Sequence, residues 1–448
     1  MRKTHNQQLP LTEVTSDHPK AKELLEISKI LDSKSSIYSM VLQDLATTSQ
    51  NTGANGMTAE QIVRAAIVQK IETYSYRELA FHLSDSRAYS KFCKIGMKRS
   101  FKKSVLQKGI KAISKETWEQ MNNVLIGYAE EMSIEKGRKI RVDCTVVESN
   151  IHVPYDSELL TDANRVLGRL LMEAKTKLTG IVFSFADHRR RVKRRCLEIM
   201  NAKNAVQREK PYKDLIKIVE KTINYSEKGL KSLALFRAIT LKEQVVKNWL
   251  VQQIKHYLAL ARQVVCQARR RVICGESVPA QEKIVSIFEP HTDIIRKDRR
   301  DTYYGHKVCL TGGASNLILD CVILEGNPAD SELTAMMLDR QNMLYGRYPL
   351  KASFDGGFSS RENLQKAKGS GIKDVCFSKG RGLSEEDMCR SKRVYKQLRN
   401  FRAGIESGIS WLKRSLGLNR CTWKGLESFN SYVWSSIFTA NLLTLARK

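Results

Sequence analysis

The sequence predicts a mixed α/β protein, with a mixed sheet flanked by helices, an all-α N-terminal region and one large helical insertion after the first strand. Three observations predict this class. Helical periodicity alone occupies residues 57–135, and it returns over residues 157–289 after a single strand near residue 140. After residue 290, short β-branched runs alternate with helical runs, as in a sheet covered by helices.

Composition narrows the class of partner. The 448 residues carry 76 Lys and Arg against 47 Asp and Glu, a formal charge of +29, which favours a nucleic acid over an acidic membrane surface. No secretory signal and no membrane-spanning stretch is evident, so we expect a cytoplasmic protein without a membrane partner. The ten Cys include no Cys-x-x-Cys pair, which predicts free thiols rather than structural zinc.

The N-terminal region divides into an arm, residues 1–56, and a helical domain, residues 57–135. The arm contains a predicted helix at Lys20–Leu31 and ends in the loop-forming residues 51–56. Capping patterns place helix starts in the helical domain at Thr58, at Ser75 with its partner Glu78, after Asp85 and near Ser114.

A basic segment, residues 94–108, lies within this helical domain. It holds six basic and no acidic residues, including Lys102 and Lys103, and is predicted to be a loop. Short helices beside a basic loop favour a DNA-binding bundle in which Lys102 and Lys103 contact phosphates. The alternative is a bundle that only dimerises or braces the next domain.

The first strand is predicted at residues 139–147, where β-branched residues alternate with polar ones. Arg141, Asp143 and Thr145 share one face of this strand, and apolar residues occupy the other. Asp143 therefore lies in the middle of an apolar strand, where an ionised group needs a partner or a metal. This strand opens the predicted core domain, residues 136–156 and 290–448.

The helical insertion, residues 157–289, is strongly basic. Residues 161–280 contain 26 basic and 10 acidic side chains, so this block carries more than half of the net charge. Its most basic run includes Arg189, Arg190 and Arg191. These arginines are expected either to contact DNA phosphates or to form an ordinary solvated helix face.

After the insertion, the elements follow in the order β, β, α, β, α, β, α. A hairpin is predicted between residues 305–311 and 316–324. The later elements are helices at residues 330–345, 360–368 and 391–415, strands at residues 350–354 and 374–378, and a closing helix after Trp423. Together with the first strand, this is the element order of a ribonuclease-H-like core.

Three acids occupy positions suited to a metal site: Asp143 within the first strand, Asp355 at the end of a central strand, and Glu406 on the long helix. Carboxylate oxygens suit Mg²⁺ or Mn²⁺, and two such ions, about 3.5–4 Å apart, can promote phosphodiester cleavage. The glycines after Asp355, Gly356 and Gly357, would let a ligand approach closely. Two alternatives remain, because Asp355 could be a turn residue and Glu406 could pair with Arg402.

Five stretches of the sequence resemble the DDE-type insertion-sequence transposases, most closely the ISNCY group. They are residues 142–152, 285–295, 305–308, 354–358 and 402–413. The last is the most specific, because related transposases carry Tyr-x2-Arg-x3-Glu-x6-Lys there. Arg402, Glu406 and Lys413 match that spacing, whereas the Tyr position is Arg399.

The resemblance implies a DNA transposase with Asp143, Asp355 and Glu406 as catalytic metal ligands. It implies metal-dependent cleavage at the ends of an insertion sequence, followed by attack of the freed 3′-hydroxyl on target DNA. Double-stranded DNA is then the partner, both as terminal repeats and as target, and two synapsed ends predict a dimer or higher oligomer. The expected location is the bacterial cytoplasm, on the nucleoid when DNA is bound.

Two further residues of the matched helix are expected to contact DNA. On an ideal helix, Arg402, Glu406 and Lys413 lie within about 40° of one face, so Arg402 and Lys413 could hold phosphates near the metals. The alternative for both is ion pairing within the helix. The polar residues after the first strand, Glu148, His152 and Asp156, could assist the metal site or simply be solvated.

Two other functions stay open at this stage. One is a nuclease of the same fold that cuts without strand transfer. The other is an inactive DNA-binding derivative, against which the three intact acids argue. A protein that binds only RNA is disfavoured, because aromatic-rich RNA-binding motifs are absent from the sequence.

Overall fold

The computed structural model describes residue 4 and residues 18–46, 56–96, 100–297 and 301–448. The chain forms two compact units, the first from residues 1–150 and 305–448 and the second from residues 151–304. The architecture is mixed α/β with a mixed sheet and many helices, which confirms the predicted class. Within the described ranges, no helix has the length and apolar character needed to cross a bilayer.

The first unit begins with helices, several of which start after predicted capping residues. The helices are α1 (Pro19–Ser33), α2 (Ser36–Leu45), α3 (Ala59–Glu72), α4 (Tyr76–Asp85), α5 (Arg87–Phe92), α6 (Lys103–Ala112) and α7 (Lys115–Glu131). Thr58 and Ser75 form full capping boxes with Gln61 and Glu78, and Ser114 caps α7. Side chains that accept from backbone N–H groups satisfy donors that a helix start leaves unpaired.

Two features of this region differ from the prediction. Helix α2 had no predicted counterpart. The basic segment 94–108 is not one loop, because α6 begins at Lys103 and buries Leu106 and Ile110 on an apolar face. Residues 97–99 of that segment, residues 51–55 of the predicted loop and nearly all of residues 1–17 lie outside the described part of the chain.

The sheet is built around the first predicted strand. Its strands are β1 (Lys139–Glu148), β2 (Asp293–Lys297), β3 (Asp301–Gly312), β4 (Ile318–Ile323), β5 (Lys351–Phe354) and β6 (Asp374–Phe377). In the first unit, β3 pairs antiparallel with both β1 and β4, which confirms the predicted hairpin. Strand β5 pairs parallel with both β1 and β6. Strand β2 lies in the second unit, and the order of the other five strands is β4, β3, β1, β5, β6.

Helices between and after these strands cover the sheet. They are α12 (Asp330–Tyr345), α13 (Arg361–Gly369), α14 (Glu385–Met388), α15 (Lys392–Ser415) and α16 (Leu426–Ala446). Helix α15 packs across β1, β5 and β6, and α16 packs against α1, α3 and α7. Helix α16 is more apolar than α12, α13 and α15, and it is accordingly buried almost all round.

The second unit is a helical bundle with its own core. It contains α8 (Asp156–Lys177), α9 (Arg189–Asn201), α10 (Ala205–Leu235) and α11 (Leu241–Ala268). Leu167, Val219 and Ile254 are fully buried in this core. Helix α10 contains Pro211, which lies in its second turn.

Candidate active site

Two parallel strands and one helix position the three predicted catalytic acids. Asp143 lies within β1, and Asp355 directly follows β5. Val142 pairs with Phe354 in the parallel register, so the two aspartates are the next residues along neighbouring strands. Glu406 lies on α15, which packs on both strands. The topology therefore brings together residues that are distant in the sequence.

The side chains of all three acids meet at the guanidinium of Arg402. Its Nη2 atom lies 3.3 Å from Asp143 Oδ2, 3.5 Å from Asp355 Oδ1 and 2.8 Å from Glu406 Oε1. Because each oxygen is within 3.5 Å of the same nitrogen, no two of these oxygens are farther apart than twice that distance. We call Asp143, Asp355 and Glu406 the acid cluster. The contacts of this cluster include the ion pair between Glu406 and Arg402, which the sequence also predicted as an alternative role for Glu406.

The acids of the cluster differ in environment, and two pKa values shift in opposite directions. The Asp143 side chain is 16% exposed, and burial raises its pKa although Arg402 opposes the shift. Burial also acts to raise the pKa of Asp355, but hydrogen bonds from the Ser378 hydroxyl and the Gly356 N–H, together with the charge of Arg402, outweigh it and lower that pKa. The acid cluster raises the pKa of Arg402 against the effect of burial.

Arg141 connects the sheet to the helix of the cluster. This side chain is on the same strand face as Asp143 and is 5% exposed. Its Nη1 donates to the carbonyl oxygen of Phe401 at 3.0 Å, and its Nη2 donates to Asn316 Oδ1 at 2.6 Å. A Cβ at Gly404 would overlap Nη1, so the glycine permits this close contact. Arg141 thus holds α15, which carries Arg402 and Glu406, against the strand that carries Asp143.

The sequence placed Arg141 on the face of Asp143 but gave it no role. Its one detectable sign was a charged residue inside an apolar strand, which requires a partner. Ser378 was also missed as an Asp355 partner. It directly follows β6, the strand parallel to β5, so its position was predictable from the sheet order but not from any motif.

The two glycines after Asp355 are closely packed against protein side chains. A Cβ at Gly356 would lie 2.8 Å from Lys379 Cβ, and a Cβ at Gly357 would lie 2.5 Å from Asp330 Oδ2. These glycines therefore admit Lys379 and Asp330, whereas the sequence suggested the approach of a ligand. Asp330 in turn forms an ion pair with Lys307, with 2.6 Å between Asp330 Oδ1 and Lys307 Nζ.

The other residues predicted to contact DNA lie on three helices. They are Lys413 on α15, Arg189, Arg190 and Arg191 on α9, and Lys102 and Lys103 at the start of α6. Lys413 is half-buried, and the other five are exposed. Arg189 pairs with Asp187 at 2.6 Å and Arg191 with Asp214 at 2.5 Å, so part of the basic charge on α9 is compensated. Of the basic residues predicted to contact DNA, Arg402 contacts all three acids of the cluster.

Within the described ranges, no group of three His, Cys, Asp or Glu side chains is arranged to hold a metal ion as it stands. In the acid cluster, the central position is taken by the Arg402 guanidinium.

Of the polar residues after β1, His152 lies 3.4 Å from Glu158, and Asp156 is bound by Arg271 at 2.7 Å. All ten Cys are free thiols, as predicted.

Two transposase family models match the chain. One, described as a transposase DDE domain, matches residues 282–442, which include Asp355, Arg402 and Glu406. The other, described as a transposase domain (DUF772), matches residues 12–108 in the N-terminal region. Asp143 lies outside both ranges. No curated protein and no solved structure gives a significant match to the chain. The two family matches together support an insertion-sequence transposase.

Proposed function

We propose that this protein is a DNA transposase that cleaves the ends of an insertion sequence and joins the freed 3′-hydroxyl to target DNA. The observation that carries this proposal is the convergence of Asp143, Asp355 and Glu406 on one guanidinium. The match to a transposase DDE domain supports it. We also propose a ribonuclease-H-like core, supported by the strand order and by the helical insertion after β1. We further propose that the protein belongs to the ISNCY group of these transposases.

The acid cluster fits divalent metal ions in its donor chemistry. It offers carboxylate oxygens, which Mg²⁺ and Mn²⁺ prefer, and it already gathers around a positive charge. Two bound ions would supply activation of the attacking oxygen and stabilisation of the leaving oxygen. Asp143, Asp355 and Glu406 would hold them, and the Arg402 guanidinium would have to leave the centre of the cluster.

The basic side chains of the chain would position the DNA. The Nε atom of Arg402 is buried and has no hydrogen-bond partner among the described residues, so it retains a donor for a phosphate oxygen once the guanidinium moves. Lys413 lies about three turns farther along α15 than Arg402, about 16 Å away at 1.5 Å per residue. Arg189, Arg190 and Arg191 on α9, together with Lys102 and Lys103, would contact backbone phosphates elsewhere.

The proposal also fixes the partners. Cleavage and joining at two element ends require a dimer or higher oligomer that holds two terminal repeats and the target DNA. DNA as the substrate places the reaction on the bacterial nucleoid. The N-terminal helices, which match a transposase domain of their own, are the proposed binding domain for the terminal repeats.

A strand-transfer assay separates this function from its alternatives. A pre-cut element end with a free 3′-hydroxyl is incubated with the protein, Mg²⁺ and labelled plasmid. Joined product is expected from the wild-type chain and not from Asp355→Ala. Mg²⁺-dependent nicking without joining would favour a nuclease, and binding without nicking would favour an inactive derivative. Nicking that survives in Asp355→Ala would refute the assignment of the acid cluster.

A further inference from the structure

A cavity of about 270 Å³ lies in the first unit, apart from the acid cluster. The end of α3 and the segment between α15 and α16 line it. Its polar lining consists of donor-bearing side chains: Gln69, Lys70, Thr73, Asn419, Arg420 and Thr422. No Asp or Glu is among the described residues that line it. A space far larger than one water needs, with two cationic side chains and no carboxylate, is suited to an anion.

Lys70 is the most unusual member of this lining. It lies in the last turn of α3 and is 5% exposed. Its ammonium donates to the Tyr432 carbonyl oxygen at 3.2 Å and to Ser436 Oγ at 3.0 Å, and it lies 3.0 Å from the centroid of the Tyr432 ring. Within the described ranges no carboxylate pairs with it, and burial lowers its pKa well below the ordinary value. Burial disfavours the charged form of this amine, and an anionic ligand beside it would stabilise the ammonium.

Aromatic rings form the rest of the wall. Trp423 and Tyr432 meet edge to face with ring centroids 5.5 Å apart, and the Lys70 ammonium lies 5.4 Å from the Trp423 ring. Tyr74 adds a third ring to the lining. A phosphate beside Lys70 would place the attached sugar or base against these rings, since aromatic faces stack on nucleic-acid bases of any sequence.

The cavity is connected to the strand of the acid cluster by main-chain hydrogen bonds. The Glu148 N–H donates to the Asn419 carbonyl oxygen at 3.1 Å, and the Cys421 N–H donates to the Glu148 carbonyl oxygen at 2.8 Å. Glu148 ends β1, five residues after Asp143, which corresponds to about 17 Å of extended strand. A DNA strand that is cut at the acid cluster can therefore reach this cavity within a few nucleotides.

We propose that the cavity around Lys70 and Arg420 is a phosphate site that holds a DNA backbone phosphate a few nucleotides from the bond that is cut. This inference rests on the proposed function for its source of phosphate, but the anion site itself does not. The shared chemistry is a tetrahedral phosphate group, which free inorganic phosphate also provides.

The test uses the full chain and two probes, inorganic phosphate in calorimetry and a short DNA duplex in fluorescence anisotropy. Lys70→Met removes the charge and keeps an apolar stem of similar length, and Arg420→Gln changes an exposed residue. Lys91→Met, on the exposed surface of α5, matches the loss of one charge outside the cavity. We expect phosphate affinity to fall about ten- to a hundredfold in Lys70→Met and at least severalfold in Arg420→Gln, with no change in Lys91→Met.

The two probes show whether the site binds a phosphate of DNA or only free inorganic phosphate. Competition between phosphate and duplex in the wild-type chain, lost in Lys70→Met, would support a DNA phosphate. Phosphate binding that the duplex does not displace would overturn the DNA assignment. Absence of phosphate binding by the wild-type chain, or equal affinity in Lys70→Met and Lys91→Met, would overturn the site. Asp355→Ala should bind phosphate normally, so failure of the catalytic proposal would appear in the cleavage assay alone.

Discussion

Substitution of Gly404 by alanine tests whether Arg141 holds the catalytic helix in place. Gly404 lies in the interior of α15, where helix propensity alone favours alanine over glycine by about 1 kcal/mol. The structure predicts the opposite sign, because a Cβ at residue 404 would overlap Nη1 of Arg141. Although that atom ends a flexible side chain, the side chain is 5% exposed and bound at both terminal nitrogens, so moving it would break these hydrogen bonds.

The magnitude follows from the two hydrogen bonds that the displaced guanidinium would lose. A hydrogen bond with a charged group contributes about 1.5–3 kcal/mol, so loss of both costs about 3–6 kcal/mol. After the gain in helix propensity, Gly404→Ala should lower the free energy of unfolding by about 2–5 kcal/mol. Cleavage should fall as well, because Arg402 and Glu406 lie two residues to either side of the substitution.

Urea titration followed by circular dichroism measures this change, with Gly408→Ala as the matched control. Gly408 lies one turn along the same helix, and a Cβ there would meet no atom within 4 Å. We expect Gly408→Ala to raise the free energy of unfolding by about 0.5–1 kcal/mol. In an Arg141→Met background the penalty of Gly404→Ala should largely disappear. Equal stabilisation by the two alanines would refute the role assigned to Arg141.

Three further predictions concern other parts of the first unit. Arg402→Gln should lower the free energy of unfolding of the metal-free chain by about 1–3 kcal/mol. This is less than the cost of breaking a fully buried ion pair, because the Glu406 side chain is 58% exposed. Mg²⁺ should raise the melting temperature of Arg402→Gln more than that of the wild type, and an equal rise would contradict competition between guanidinium and metal. Ser75→Ala should cost about 1 kcal/mol through loss of the α4 capping box, with Ser84→Ala as an exposed control on the same helix. Burial lowers the pKa of Lys70 in the folded chain. At pH values between this lowered pKa and the ordinary lysine pKa, the unfolded chain binds more protons than the folded chain, so the free energy of unfolding should rise with pH. Lys70→Met should flatten this rise, as measured by denaturation curves taken at several pH values. An unchanged slope of the free energy of unfolding against pH would contradict the role of Lys70.

Local features of the fold were predictable because local physics determines them. The capping boxes at Thr58 and Ser75 depend on residues three positions apart, and the alternation in β1 depends on neighbours. Helix α6 was missed because its charged residues mask a short apolar face formed by Leu106 and Ile110. Its burial depends on helices from other parts of the first unit, which a local pattern does not include.

The candidate site was predictable as a set of residues and unpredictable as a geometry. The types and order of Asp143, Asp355 and Glu406 suggested a metal site, but their convergence depends on the parallel register of β1 with β5 and on the packing of α15. Arg402 was predicted either to contact DNA or to pair within its helix, and the structure adds Asp143 and Asp355 to its helical partner Glu406. Which partner a long cationic side chain selects depends on the nearest uncompensated charge, and this is set by tertiary structure.

The position of Arg402 has a consequence for the proposed reaction. Two carboxylates about 7 Å apart, the upper bound for this cluster, repel by about 2 kcal/mol at an effective dielectric constant of 20, so a cation between the three acids stabilises them. The guanidinium supplies that cation in the metal-free protein, and divalent ions would supply it during catalysis. Displaced from the acids, Arg402 would remain on the helix that also carries Lys413, within reach of the phosphates next to the bond to be cut. Metal loading and DNA positioning would then be coupled through one side chain, and each should strengthen the other.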